Sequence, residues 1–310
     1  MCAIFGVLDY RGALEASQRL HMVRELGRAA EVRGTDAAGI AFFQRDRLCI
    51  QKGPKPAHRM RFRIPADARY IMGHTRMTTQ GNASKNQNNH PFPGKAGKTK
   101  FALAHNGVLT NDWELHISEN LPLTSVETDS FAAVQLIEKQ GEVSFQSLQR
   151  MAELLLGSFT FTILDQENNL YFVKGNNPLT IYHFPKLGFY LYASTTEILD
   201  MALRKLGPDW VKPVVIQPVQ GKILRIDHQG NRSSSTFNTS NIEQEWELWG
   251  GYDPWSRRPS VPDPTGRENY LQALKKLASC YGYEEEYIEF LLKDGYTTDD
   301  VEHLIYYGAV

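Results

Sequence analysis

The stretch MCAIFGVLDY, residues 1–10, sets a cysteine directly ahead of a short apolar run, Ala3 to Leu8. The run reads as a β-strand, and Cys2 stands at its mouth. The cysteine side chain is small enough that removal of Met1 is expected. The residue then exposed would carry a thiol and an α-amine on one carbon. An α-amine ordinarily titrates at about 7.7–8.0, so it can accept a thiol proton directly or through one water. A nucleophile with its own base is one reading; a small apolar residue opening a strand is the other.

Working outward, apolar side chains at helical spacing (Leu20, Val23, Leu26, Ala29, Ala30) predict a helix from about Leu14 to Val32, with Gly34 as its stop signal. GIAFF at 39–43 and RLCIQKG at 47–53 flank a polar QRD and read as a hairpin, while RYIMGHTR at 69–76 and KFALAHNGVL at 100–109 read as two further strands. Helices are expected over roughly 129–139 and 145–156. Phe159, Phe161 and Ile163 then alternate with Thr160 and Thr162, the period of a strand with one apolar face. LYFVKG, LTIYHF and GFYLYAS continue as strands, TTEILDMALRKLG is a helix capped by Thr195 or Thr196, and VVIQPVQGKILRI reads as a closing hairpin. Blocks of antiparallel strands interleaved with helix pairs fit two sheets packed between helical layers.

The composition changes near residue 230. NRSSSTFNTSN at 231–241 and the Pro-rich SRRPSVPDPTG at 256–266 read as linkers. Between them Trp246, Trp249, Tyr252 and Trp255 recur every three residues, as in an arm packing its aromatics on a larger body or docking a partner. Beyond Arg267 a degenerate repeat, GYEEEYIEFLLKD then GYTTDDVEHLIYY, predicts short helices with acidic first turns. The expected organisation is a main domain over 1–232, a polar and aromatic arm over 233–266, and a small helical bundle over 267–310.

With 42% hydrophobic residues, 22% charged residues and a net charge of -1, the 310-residue chain offers no field for nucleic acid or an anionic membrane. Three scattered cysteines, Cys2, Cys49 and Cys280, suggest neither a disulfide framework nor a zinc site, and no segment reads as a signal peptide or a bilayer span. A reducing cytoplasm is the expected location, with no nucleic-acid or membrane partner.

Four stretches bear on Cys2: RGTDAAGIA at 33–41, GHTRMTTQG at 73–81, AHNGVLTN at 104–111 and ETDS at 127–130. Together with CAIFGV they resemble, in order and spacing over roughly residues 2–230, the glutamine-hydrolysing domain of class II amidotransferases, the group containing glucosamine-6-phosphate synthase and amidophosphoribosyltransferase. The resemblance implies an α+β fold, the four-layer αββα sandwich of N-terminal-nucleophile hydrolases, here with a small C-terminal helical appendage. It implies Cys2 as nucleophile, with Asn106 (side-chain NH2) and Gly107 (backbone N–H) as oxyanion donors. For Asn106–Gly107 the residues alone equally suit a hairpin turn. It further implies Arg76 on the α-carboxylate and Asp129 on the α-amine of L-glutamine, with Thr79 and Gly81 on a loop that folds over the substrate. Alone, Arg76 reads as well as a surface ion pair, and Asp129 as a helix cap. Gln80 stands where the glucosamine-6-phosphate synthase type has His. His90 aligns with a loop position and reads as structural, as does an expected Arg33–Asp36 ion pair. No cofactor and no metal is implied. The function expected is release of ammonia from glutamine through a Cys2 thioester. A separate ammonia-accepting synthase would be the partner, docked through the arm and C-terminal helices, and self-association is a further option. The alternatives are a stand-alone amidohydrolase of glutamine or a γ-glutamyl compound, and a noncatalytic glutamine-binding regulator.

Overall fold

The computed structural model describes residues 2–206, 212–242, 275, 284–293 and 301. The chain divides into two compact units, Met1–Ile242 and Glu243–Val310.

The first unit opens with β1 (Ala3–Asp9), α1 (Ala16–Ala30), the hairpin β2 (Ala37–Gln44) and β3 (Arg47–Gly53), then β4 (Tyr70–Arg76), β5 (Phe92–Ala96) and β6 (Thr99–Leu109). Three helices follow, α2 (Asp112–Ser118), α3 (Phe131–Gln140) and α4 (Phe145–Leu154), then β7 (Gly157–Asp165), β8 (Leu170–Lys174), β9 (Thr180–Phe184) and β10 (Phe189–Ala193). The unit closes with α5 (Thr196–Leu206), β11 (Val214–Ile216), β12 (Lys222–Ile226) and β13 (Arg232–Thr236). The strands form a seven-stranded sheet, β11-β9-β10-β1-β4-β2-β3, and a six-stranded sheet, β13-β12-β8-β7-β6-β5, with every pairing antiparallel.

β1 shows why its apolar run is continuous rather than alternating: both faces are covered. Phe5 and Val7 point to one side, where Val23 and Leu26 of α1 and Ile198 and Leu199 of α5 pack. Ile4 and Leu8 point to the other, into the space between the sheets, with Met72, Tyr192, Ala104, Leu164 and Phe172. Beyond the second sheet, Leu136 and Ile137 of α3 and Leu148 and Met151 of α4 cover Leu103, Phe159 and Phe161. These are the four layers, helix, sheet, sheet, helix, that the sequence order suggests. A buried ion pair, Asp9–Arg19 at 3.0 Å, fixes the turn from β1 into α1, since Asp9 also accepts from the Ala13 and Leu14 amides.

Two readings at the end of this unit are corrected. VVI and KILRI are not a hairpin: β11 pairs with β9 in one sheet, and β12 pairs with β8 and β13 in the other. The intervening Pro218 lies in the crossing between sheets. The polar NRSSSTFNTSN is not a linker either. It supplies edge strand β13, and Phe237 and Ile242 beyond it are buried, so the unit reaches Ile242 rather than ending at 232.

In the second unit α6 (Glu285–Lys293) buries Ile288 and Leu291, leaves Tyr287 and Phe290 exposed, and pairs Glu289 with Lys275. Its acidic start, Glu285 and Glu286, matches the first half of the repeat. The tryptophan-rich arm and the second half of the repeat lie outside the described residues, Val301 excepted. Among the described residues no helix is long and apolar enough to cross a membrane.

Candidate active site

The register of β1 against β4, Ala3 opposite Thr75, sets Cys2 at the sheet end where Arg76 closes β4. The Cys2 thiol donates to the Met77 carbonyl at 3.5 Å. Its own carbonyl accepts from Arg33 Nε at 2.8 Å. Arg33 also turns Nη2 to Asn106 Oδ1 at 3.5 Å, and Asn106 belongs to β6 of the other sheet. One guanidinium therefore ties the cysteine backbone to the asparagine side chain across the sandwich. The expected Arg33–Asp36 ion pair is absent among the described residues. Asp36 instead accepts from the Thr78 amide at 2.7 Å, because the short helical turn ending at Arg33 and the entry to β2 separate the two side chains. Burial pushes the Cys2 thiol pKa up from its ordinary value, and the Arg76 guanidinium opposes that rise.

Asn106 and Gly107 lie within β6, opposite Thr160 and Phe159, so the hairpin-turn reading of this pair does not hold. Gly107 has φ +146°, and a Cβ there would stand 1.9 Å from the Ser158 carbonyl oxygen; only glycine fits. The Asn106 carbonyl accepts from Asn177 Nδ2 at 2.9 Å. With Oδ1 facing Arg33, Asn106 Nδ2 is buried and has no acceptor among the described residues. A buried donor left so costs about 1–3 kcal/mol, which an acceptor brought in by a substrate or a water would recover.

Arg76 is only 3% exposed, yet no carboxylate lies within ion-pair distance of it among the described residues. Its guanidinium is held by neutral oxygens: Nη1 donates to Asn89 Oδ1 at 2.7 Å, and Nη2 to the carbonyls of Gln80 and Gly81. Among the same residues Asp129 is likewise buried without a cation. One carboxylate oxygen accepts from the Leu109 amide at 2.6 Å and the other from Ser130 Oγ at 3.2 Å, so Asp129 is bound to β6 rather than capping α3. Burial raises its pKa, and the Leu109 and Ser130 bonds counter the rise. At this site Arg76 and Asp129 are thus a buried cation and a buried anion with no ion-pair partner among the described residues, a match for the two charges of an amino acid's α-carbon.

Thr79 is exposed on the loop after β4, and Gly81 turns at φ +72° against Glu127. Glu127 pins this loop by taking Lys85, the Asn82 amide and Asn88 Nδ2, which hold its carboxyl near about 2. His90 is buried, sandwiched between His74 and Phe92 at 4.2 and 4.3 Å between ring centres, in keeping with a structural role.

A sequence model of the class II glutamine amidotransferases matches residues 1–159. The chain belongs to this family. Among curated proteins it is 32% identical over 238 residues to the glutamine–fructose-6-phosphate aminotransferase (isomerizing) of Bacillus licheniformis, a match covering 71% of this chain and 38% of that protein. The corresponding enzyme of Staphylococcus epidermidis is 32% identical over 190 residues, covering 58% and 30%. The chain therefore spans about a third of the length of these relatives. Among solved structures, the glutamine phosphoribosylpyrophosphate amidotransferase of B. subtilis superposes with a TM-score of 0.60 at 20% identity, covering 77% of this chain and 50% of that one, which establishes the shared fold.

In this class II amidotransferase Gln80 joins the two charged groups: its carbonyl accepts from Arg76, and its side-chain oxygen accepts from the Asp129 amide at 3.3 Å. Two neighbours of the site carry no mark in the sequence, Asn89 against Arg76 and Asn177 beneath Asn106, and Ser130 beside Asp129 stands in ETDS without an assigned role. Asparagine and serine in loops and at helix starts are common, so nothing local distinguishes these from ordinary turn residues.

Proposed function

We propose that the chain hydrolyses L-glutamine at Cys2, with the α-amine of that residue free to act as base. The observation that carries this reading is the Arg33 bridge, which holds Cys2 and Asn106 together while leaving Asn106 Nδ2 without an acceptor among the described residues. Arg76 takes the α-carboxylate and Asp129 the α-ammonium, which sets the side-chain amide at the thiol. The sulfur adds to the amide carbon as the α-amine takes the thiol proton, and Asn106 Nδ2 and the Gly107 N–H receive the oxyanion. The C–N bond breaks, the leaving nitrogen takes a proton from the α-ammonium, and ammonia departs from a γ-glutamyl thioester. Water, deprotonated by the same amine, cleaves the thioester to glutamate and restores the thiol. Thr79 and Gly81 belong to the loop that covers the substrate.

The ammonia is passed to a synthase acting with this chain. The support is that the relatives' names couple glutamine to a second substrate, and that the matched region is about a third of their length. A stand-alone amidohydrolase would turn over glutamine at a rate indifferent to any such partner. The deciding experiment is intact-mass spectrometry of the purified protein. It should show loss of Met1 and one equivalent of the glutamine-mimicking electrophile diazo-oxo-norleucine on Cys2, with Cys2→Ala folded but inactive and unlabelled. Labelling at Cys49 or Cys280 would overturn the assignment.

A further inference from the structure

Arg76 is positioned by three acceptors, two of them main-chain carbonyls of the loop it precedes, Gln80 and Gly81. Among the described residues the side chain that hydrogen-bonds it is Asn89, fully buried, with Oδ1 2.7 Å from Nη1. The orientation of that amide is unambiguous. A guanidinium only donates, so the atom facing it is the oxygen, and Nδ2 then donates to the Ala83 carbonyl at 2.8 Å and to Asn86 Oδ1 at 3.3 Å. The Asn89 carbonyl in turn accepts from Lys52 Nζ, which also reaches the Pro91 carbonyl at 3.2 Å. Asn89 is therefore fixed from β3 and from the loop at once, and it can hold the guanidinium in one plane.

The chemistry of the residue matters as much as its placement. An aspartate would fit the same space and would bond Arg76 more strongly, but it would also neutralise it. An amide oxygen orients the fork and leaves the full positive charge for an incoming anion. From this geometry we infer that Asn89 is a positioning residue that sets the Arg76 guanidinium for the substrate's α-carboxylate while keeping that charge unspent. The inference rests on the reading of Arg76 as the carboxylate site.

The test is steady-state hydrolysis of L-glutamine by Asn89→Ala, Asn89→Asp and Arg76→Ala. The amide 4-aminobutanamide, which lacks the α-carboxylate, serves as comparison substrate, and thermal melts establish that each variant is folded. Loss of one hydrogen bond to a charged group should raise the glutamine KM of Asn89→Ala about tenfold with kcat held within about twofold. Asn89→Asp should raise KM further, because its carboxylate competes with the substrate's. Both variants should change kcat/KM for 4-aminobutanamide less than about twofold, since no carboxylate is there to be recognised. If Arg76→Ala raises the glutamine KM while the Asn89 variants match the parent protein, or weaken both substrates equally, Asn89 is merely structural and the inference fails. If Arg76→Ala itself leaves the glutamine KM unchanged, the carboxylate site lies elsewhere and the role of Asn89 falls with it.

Discussion

The side-chain amide of Asn106 is buried, held by its oxygen and, among the described residues, left unanswered at its nitrogen. An oxyanion formed at Cys2 would supply the missing acceptor only in the transition state. Asn106→Ala is therefore expected to lower kcat for glutamine by about 10²-fold or more while changing KM little. Steady-state kinetics and a thermal melt decide it: loss of fold rather than of rate would make the residue a structural one. At this scale the sequence was informative about residue type and silent about partners. Cys2, Arg76, Asn106, Gly107 and Asp129 are singled out by motif, because each sits in a short stretch whose chemistry is distinctive, and their roles are those proposed above. The spacing in RGTD suggests an Arg33–Asp36 pair, whereas the contacts Arg33 makes to Cys2 and Asn106 are far off in sequence and set by sheet register.

Among elements, β13 makes the clearest test. A chain ending at residue 232 loses most of that strand, the outer pairing of β12, and the buried side chains of Phe237 and Ile242, all of which a chain ending at 242 retains. At about 1.5–3 kcal/mol for each buried apolar side chain, the shorter chain should be less stable by roughly 3–6 kcal/mol. Urea unfolding of the two proteins measures this directly. The strand escaped the sequence reading because it is an edge: residues 232–236 are exposed or half-exposed, so serines and a threonine serve there and no apolar alternation marks it. β7 is the opposite case. Its phenylalanines face α3 and α4 and its alternation is plain in the letters Phe159 to Ile163. The false hairpin had a different cause. Strand type is written locally, but which of two sheets a strand joins is decided by packing that no short window records.

For the whole molecule, burial leaves a mark on pH dependence. His74 bonds across to the His105 carbonyl of the other sheet, and the His105 ring lies on the helical side of β6 against Ser130 and Phe161; burial holds the pKa of each at about 3 against 6.5 for an exposed histidine, and His90 is also depressed. Above pH 6.5 folded and unfolded chains are both neutral at these rings. Below that value the unfolded chain takes up protons that the folded one refuses. Stability should thus fall as pH drops from about 6.5 toward 3, by ~1.4 kcal/mol per pH unit for each ring. Urea unfolding between pH 7 and 5 should show this slope, and His105→Gln should reduce it by one ring's share. A slope unchanged by the substitution would mean that His105 is protonated in the folded state.

β1 lies at the centre of its sheet, flanked by β4 and β10, although it comes first in the chain. During synthesis the segment bearing Cys2 leaves the ribosome before any partner exists. It gains one neighbour once Tyr70–Arg76 has emerged and stays open on its other side until Phe189–Ala193 follows. Throughout that interval AIFGVLD offers an unpaired apolar edge to chaperones and to other nascent chains. The strand beside Cys2 is thus made before both of its neighbours and waits for the second until residue 193, so translation speed between residues 76 and 193 bears on how long that edge stays open.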